Sequence, residues 1–215
     1  MDAPRRFEDR AAAGESLATM LFRMALPKPL VVLALPRGGL PVSVPVARRL
    51  GARLDVMTVR KIGLPANPEQ AIGAVAAGVV YRDEAILPYT GLDEASFRRL
   101  ATAAEVQRQR REQLFRDQRE ACALQGTTAI LVDDGIATGA TMIAAIRAAR
   151  AAGARRVVAA APVASQSAFA RLQAEADDVV VAQVPTGFSS VGEWYRSFPQ
   201  VEDDEALALL CREPA

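Results

Sequence analysis

The stretch AILVDDGIATGAT, residues 129–141, followed by Met142, decides how this chain folds. Ala129–Val132 is a short apolar run of the kind that forms a buried strand. It ends in two adjacent carboxylates, Asp133 and Asp134. A brief loop, Gly135-Ile136-Ala137, follows, and Thr138-Gly139-Ala140-Thr141 opens a helix. A helix start leaves backbone N–H groups unpaired at the positive end of the macrodipole, which suits an anion. Gly139 allows close backbone approach, and the hydroxyls of Thr138 and Thr141 add donors. A phosphate dianion at such an end gains about 1–2 kcal/mol from the dipole. Two carboxylates repel a phosphate beside them and need another partner. Vicinal sugar hydroxyls meet that need, as does a hydrated magnesium ion. Acceptors at one end and phosphate donors at the other together describe ribose 5-phosphate.

Working outward, short apolar runs alternate with helical patterns. Strands are expected at Leu30–Leu35, Leu54–Val59, Ala129–Val132, Arg156–Val163 and Val179–Val184. Helices are expected from the turn at Pro36–Gly39 to about Leu50, from Thr138 to about Ala152 with a stop at Gly153, and over Ser165–Glu175. Such alternation predicts an α/β fold, doubly wound, with a mainly parallel five-stranded sheet and helices on both faces. The strand order expected for it, though not fixed by the alternation, is 2-1-3-4-5. The whole of 1–215 reads as one domain. Its core is about 28–60 and 126–184, with a lid and helical insertion at about 62–125 and a C-terminal hood at about 185–215. Within the insertion, 62–90 looks irregular or hairpin-like, because Gly63, Pro65, Pro68, Gly73 and Gly78 interrupt any long element. Residues 93–120 read as a charged helix. Its arginines, Arg108, Arg110, Arg111, Arg116 and Arg119, would face solvent, balanced by Glu105, Glu112, Asp117 and Glu120.

Composition closes off several chemistries. The chain has no histidine, which excludes Ser-His-Asp and Cys-His catalysis and any zinc site that needs imidazole. With 26 basic and 25 acidic residues the net charge is +1, so nothing argues for a nucleic-acid or membrane partner. Cys122 and Cys211 lie far apart in helix-like segments and form no redox motif or disulfide framework, which suggests the reducing cytoplasm. The opening MDAPRRFEDR lacks the apolar run of a signal peptide, and no stretch is long and apolar enough for a membrane span. A P-loop is absent, and a receiver-type acidic pair would follow the first strand rather than the third.

Two further segments belong with the acidic pair. Leu33–Gly39 is a strand running into a tight turn, where Gly38 and Gly39 can present N–H groups to an anion and Arg37 adds a planar fork. Val59-Arg60-Lys61 follows the second strand and offers a compact positive charge. In open parallel sheets, ligands bind beyond the carboxyl ends of the strands where the strand order reverses. If the order is 2-1-3-4-5, the Arg37 and Asp133 loops become neighbours, with Lys61 on the flank. Near the C-terminus, Phe188, Trp194, Tyr195 and Phe198 either stack on a ligand or form a small hydrophobic core, and the second reading is favoured.

AILVDDGIATGAT resembles the signature loop of the type I phosphoribosyltransferases, which bind 5-phosphoribosyl 1-pyrophosphate (PRPP); the similarity extends over most of the chain and is nearest to members of unassigned base specificity. The resemblance implies a nucleotide-metabolism enzyme that transfers the 5-phosphoribosyl group to a nitrogen nucleophile with release of pyrophosphate. Asp133 and Asp134 would hold the ribose hydroxyls and, indirectly, Mg2+. Ala137, Thr138, Gly139, Ala140 and Thr141 would hold the 5-phosphate. Arg37, Gly38, Gly39 and Lys61 would receive pyrophosphate on a loop that in this family often carries a cis peptide, so Asp133, Asp134, Arg37 and Lys61 form the expected catalytic set. Phe188, Trp194 and Tyr195 would border the base, and Gly63–Val80 would be a mobile lid, with Glu69 read as a surface carboxylate. A homodimer is also implied. Enzymes acting on 6-oxopurines carry an Asp where this chain has Ala137, so hypoxanthine and guanine are disfavoured as acceptors, and adenine, uracil, orotate or another nucleophile stays open. The alternative is a PRPP- or nucleotide-sensing regulator with little turnover.

Overall fold

A computed structural model describes residues 6–117 and 119–212. In chain order the elements are α1 (Arg10–Arg23), β1 (Leu30–Ala34), α2 (Gly39–Leu50), β2 (Arg53–Val56), β3 (Val59–Leu64), β4 (Asn67–Ala76), β5 (Val79–Arg82), α3 (Glu94–Arg116), β6 (Thr128–Val132), α4 (Ala140–Ala151), β7 (Arg156–Val163), α5 (Gln166–Gln173), β8 (Asp178–Gln183) and α6 (Asp203–Cys211).

Five strands pair in parallel in the order β2-β1-β6-β7-β8, which is the expected 2-1-3-4-5. Both faces of the sheet are covered, and the central strands β1, β6 and β7 are almost wholly apolar, while the edge strands β2 and β8 retain Asp55 and Gln183. Alternate residues serve opposite faces. Leu33, Leu131 and Val157 pack with Ile143 and Ile146 of α4. Val32, Ile130 and Val158 pack with Leu17, Leu21 and Leu40 of α1 and α2, and with Leu210 of α6. Helix α4 is mostly alanine on its buried side, which lets it lie close on the sheet, and it stops before Gly153 in the left-handed region, φ 87°.

The second strand is shorter than expected. It ends at Val56, and Met57 N–H makes one last bond to the Ala34 carbonyl at 2.9 Å. Val59 then begins a separate three-stranded antiparallel sheet in the order β3-β4-β5. Met57, Thr58 and Val59 are all compatible with a strand and no Gly or Pro separates β2 from β3, so the change of sheet leaves no mark in the sequence pattern. The hairpin alternative for 62–90 is the one realised. Gly63 and Gly73 lie inside strands, where an added Cβ would come within 2.4 Å of the Pro68 carbonyl oxygen and 2.3 Å of that of Tyr81. Gly63 also marks a register shift against β4, so these glycines admit close backbone approach instead of ending elements. The Glu69 side chain lies outside the described residues.

Helix α3 starts at Asp93, whose carboxylate accepts the Ser96 N–H at 2.7 Å. Its arginine face is not wholly solvated. Arg108 is only 5% exposed and is gripped by Glu105 at 2.8 Å, Glu112 at 2.6 Å and the Thr58 hydroxyl at 2.9 Å. A buried guanidinium is tolerable because each of its three nitrogens donates to an acceptor, the Glu105 and Glu112 carboxylates among them. Arg116 similarly reaches the buried Asp55 at 2.8 Å. The other oxygen of Asp55 accepts the N–H of Cys122, which sits in a segment that is neither helix nor strand. Cys211 does close a helix, α6. Among the described residues, no helix is long and apolar enough to cross a membrane.

Candidate functional site

The turns after β1 and β6 meet at the carboxyl ends of these paired strands. Leu35 N–H continues the ladder to the Val132 carbonyl at 2.8 Å. The next peptide but one, Pro36–Arg37, is cis, as the resemblance implied for this loop. Gly38 and Gly39 then pass so near the acidic turn that side chains are excluded. A Cβ on Gly38 would lie 2.1 Å from Asp134 Oδ2, and one on Gly39 would lie 2.6 Å from the Val132 carbonyl oxygen.

The two carboxylates have different partners. Asp133 accepts the N–H of Asp134 at 2.9 Å. Burial, with the neighbouring Asp134 charge, holds Asp133 well above the ordinary carboxylate range. Asp134 is also raised by burial, but Arg10 Nε, donating to Oδ2 at 2.8 Å, opposes that shift. Tyr195 donates its hydroxyl to the Asp134 carbonyl at 2.5 Å, and burial followed by the nearby Asp134 charge pushes this phenol up. Hydroxyl groups, which both donate and accept, are suitable partners for such a buried acidic pair.

Beyond the acids, α4 begins at Ala140 and not at Thr138, because Gly139 takes the left-handed conformation with φ 83°. Ala137 and Thr138 stand exposed in the turn, and Thr141 lies in the first turn of the helix. Among the described residues, the N–H groups of Ala137, Thr138 and Gly139 have no hydrogen-bond acceptor.

A cavity of about 570 Å³ lies over the junction of the two turns, bordered by Arg37, Gly38 and Asp134 together with Arg10 and Arg111. Its apolar wall is Val191, Phe198 and Val201. Arg37 reaches Glu202 and Asp203 only at 3.4 Å each, and Arg111 reaches Asp203 at 4.0 Å. These long contacts are readily exchanged for a better anion.

Lys61 is not brought here. It lies on β3 and borders a different cavity, of about 440 Å³, with Gly63 and with Gln107 of α3. The antiparallel sheet carries it away from the strand end at which its sequence position placed it. Phe188, Trp194 and Tyr195 likewise do not border the larger cavity. They form a small hydrophobic cluster with Phe7 and Val163, in which the Tyr195 ring lies 4.9 Å from that of Phe198. Phe198 is the aromatic that faces the cavity. Arg10 and Arg111 escaped the sequence reading because spacing carries no hint of them: Arg10 lies 124 residues from Asp134.

Comparison with known proteins establishes the family. The family model described as the phosphoribosyl transferase domain matches residues 6–195, and the chain belongs to that family. It is 44% identical over 207 residues to a protein of Mycobacterium tuberculosis (strain H37Rv) provisionally named a phosphoribosyl transferase. That alignment covers 96% of this chain and 46% of the relative, so the chain spans about half the length of the curated relatives it matches. It is also similar to TT1426 from Thermus thermophilus, a crystal structure, with 43% identity, a TM-score of 0.83, and coverage of 98% of this chain and 100% of the other. The AQ2163 protein from Aquifex aeolicus shares the fold at 12% identity and a TM-score of 0.50, over 81% of this chain and 74% of the other.

Proposed function

We propose that this chain transfers the 5-phosphoribosyl group of PRPP to a nitrogen nucleophile. The C1–oxygen bond to pyrophosphate breaks, a C1–nitrogen bond forms, and the nucleophile gives up its proton to solvent or a carboxylate. The observation that carries this reading is the meeting of the Gly38 turn with the Asp134 turn beside a loop of unpaired N–H groups. That meeting offers donors for a phosphate, acceptors for sugar hydroxyls and an arginine for a leaving diphosphate, side by side.

Each role follows from the chemistry present. The N–H groups of Ala137, Thr138 and Gly139, with the hydroxyls of Thr138 and Thr141, take the 5-phosphate. Asp133 and Asp134 accept the ribose hydroxyls and stabilise positive character developing on the ring. Arg37 neutralises departing pyrophosphate beside the Gly38 turn, and Arg111 stands near enough to share that charge. Gly39, whose N–H is donated to the Leu35 carbonyl at 3.0 Å, shapes the turn and is not itself a donor to the ligand. Lys61 would join them only if the antiparallel sheet moved as a lid, a motion that would also exclude water from the reacting sugar. The acceptor enters along the Phe198 wall under a hood formed by the C-terminal segment.

Magnesium fits in one form. Among the described residues, no three His, Cys, Asp or Glu side chains converge on a point. Asp133 and Asp134 nonetheless offer two carboxylates, a sufficient protein share for an ion whose remaining ligands are water and substrate oxygens. Bound there, it would supply charge neutralisation for the diphosphate. The reducing cytoplasm is the matching compartment, since Cys122 and Cys211 are both free thiols.

The deciding experiment is pyrophosphate release from PRPP and magnesium against a panel of adenine, uracil, orotate and hypoxanthine. Release with one acceptor and not with hypoxanthine is expected, because Ala137 offers no proton acceptor to a 6-oxopurine. Binding of PRPP without release on any acceptor would assign the chain as a sensor. Absence of PRPP binding would end both readings.

A further inference from the structure

The loop that carries the unpaired N–H groups is held from behind by α5, through its N-cap Ser165 and through Arg171 of its last turn. The Ile136 carbonyl accepts the N–H of Ser165 at 2.9 Å. The Ala137 carbonyl accepts the Ser165 hydroxyl at 2.6 Å, and the Thr138 carbonyl accepts Arg171 Nη1 at 3.0 Å. In a planar trans peptide, C=O and N–H point in opposite directions. Three successive carbonyls drawn toward α5 therefore turn the N–H groups of Ala137, Thr138 and Gly139 the other way. The result is a row of donors facing one side, the arrangement that binds anions.

Arg171 is engaged on its other nitrogen too. Nη2 donates to Asp83 Oδ2 at 2.7 Å and to the Tyr81 hydroxyl. Asp83 is buried immediately after β5, and its N–H donates to the Ile72 carbonyl of β4 at 3.0 Å. One planar guanidinium thus spans a phosphate-loop carbonyl on the parallel sheet and a buried carboxylate anchored in the antiparallel sheet. A lysine has one nitrogen and lacks the fork needed to hold these acceptors at fixed angles.

We infer that Arg171 is a positioning residue for 5-phosphate binding. It fixes the Thr138–Gly139 peptide so that its N–H faces the phosphate, and it ties that loop to β5 through Asp83, without touching the ligand itself. This inference rests on the proposed phosphoribosyl site. A purely structural role would be to neutralise Asp83, and the two roles separate by experiment.

The test is calorimetric titration of the full chain with ribose 5-phosphate, paired with thermal melts, for the wild type, Arg171→Lys, and the double variant Arg171→Met with Asp83→Asn. The lysine variant keeps a cation beside Asp83, and the double variant removes cation and anion together, so neither leaves a lone buried charge. Both variants should bind ribose 5-phosphate about tenfold more weakly, the size expected from losing one well-aimed donor to a charged ligand. That loss should persist in Arg171→Lys even though its melting temperature stays with the wild type. Wild-type affinity in Arg171→Lys, or affinity that simply follows melting temperature across the set, overturns the inference while leaving the phosphoribosyl site standing. A wild-type chain that fails to bind ribose 5-phosphate removes the site and this inference together.

Discussion

Gly38 faces Asp134 so closely that a methyl group on Gly38 would sit 2.1 Å from Asp134 Oδ2. The same oxygen accepts Arg10 Nε at 2.8 Å, so the carboxylate has little freedom to retreat. One residue belongs to the turn proposed to receive diphosphate and the other to the turn proposed to hold the sugar, and each fixes the shape of the other. Gly38→Ala should therefore cost about 1–3 kcal/mol of stability, as overpacking does. It should also weaken PRPP binding about tenfold or more, because a displaced turn loses alignment with the transferring group. Thermal melts and calorimetry measure both, and a variant indistinguishable from wild type in both would contradict the packing described here.

Arg10 governs the acidic turn from the N-terminal helix. Its Nη1 also donates to the Pro199 carbonyl at 2.6 Å, and its guanidinium lies 3.7 Å from the Phe198 ring centroid. Arg10→Met should reduce PRPP affinity about tenfold, since Asp134 would lose the charge-assisted bond that orients it. Asp133→Asn with Asp134→Asn should reduce it further, about a hundredfold, by removing both acidic acceptors of the sugar hydroxyls. If PRPP affinity survives the double change, the sugar is held elsewhere.

The buried arginine of α3 makes a pH-dependent contribution to stability. Hydrogen bonding to Arg108 lowers the pKa of Glu105 below its usual range. A carboxyl depressed in the folded state adds stability that is present above its unfolded pKa, about 4.3, and lost as pH falls through the folded value. Glu105→Gln should therefore lower the melting temperature at neutral pH and flatten its fall below about pH 4. Arg108→Met should cost more, about 2 kcal/mol, because it leaves Glu105, Glu112 and Thr58 without their shared donor. Parallel acid limbs for wild type and Glu105→Gln would refute the assignment.

What could be read in the sequence was whatever depends on local pattern. Ala129–Thr141 states its strand, acidic turn and glycine within thirteen positions, and the parallel, doubly wound sheet followed from the alternation of strand and helix patterns. What escaped is set by distance along the chain. Lys61 follows β2 in sequence, yet the chain leaves the parallel sheet at Met57 and carries it to another cavity. Arg10 and Arg111 reach the site from helices whose own periodicity says nothing of a partner on another element. Arg108 read as solvated because helix charge patterning cannot tell a surface pair from one closed over by Thr58.

The aromatic cluster offers the sharpest division between binding and packing. Phe198 faces the cavity beside Val191, while Trp194 is buried behind it with Tyr195. The Trp194 indole N–H is buried and, among the described residues, has no hydrogen-bond partner. Trp194→Phe gives up apolar area but also removes an unsatisfied donor, so its stability should remain within about 1 kcal/mol of wild type. It should leave acceptor KM unchanged. Phe198→Ala removes a wall of the cavity and the ring under Arg10, and should raise acceptor KM about tenfold at saturating PRPP. Steady-state kinetics on the acceptor found by pyrophosphate release would separate the two. If Trp194→Phe shifted acceptor KM while Phe198→Ala did not, the base would bind on the buried side of the cluster, and the hood would have to open to admit it.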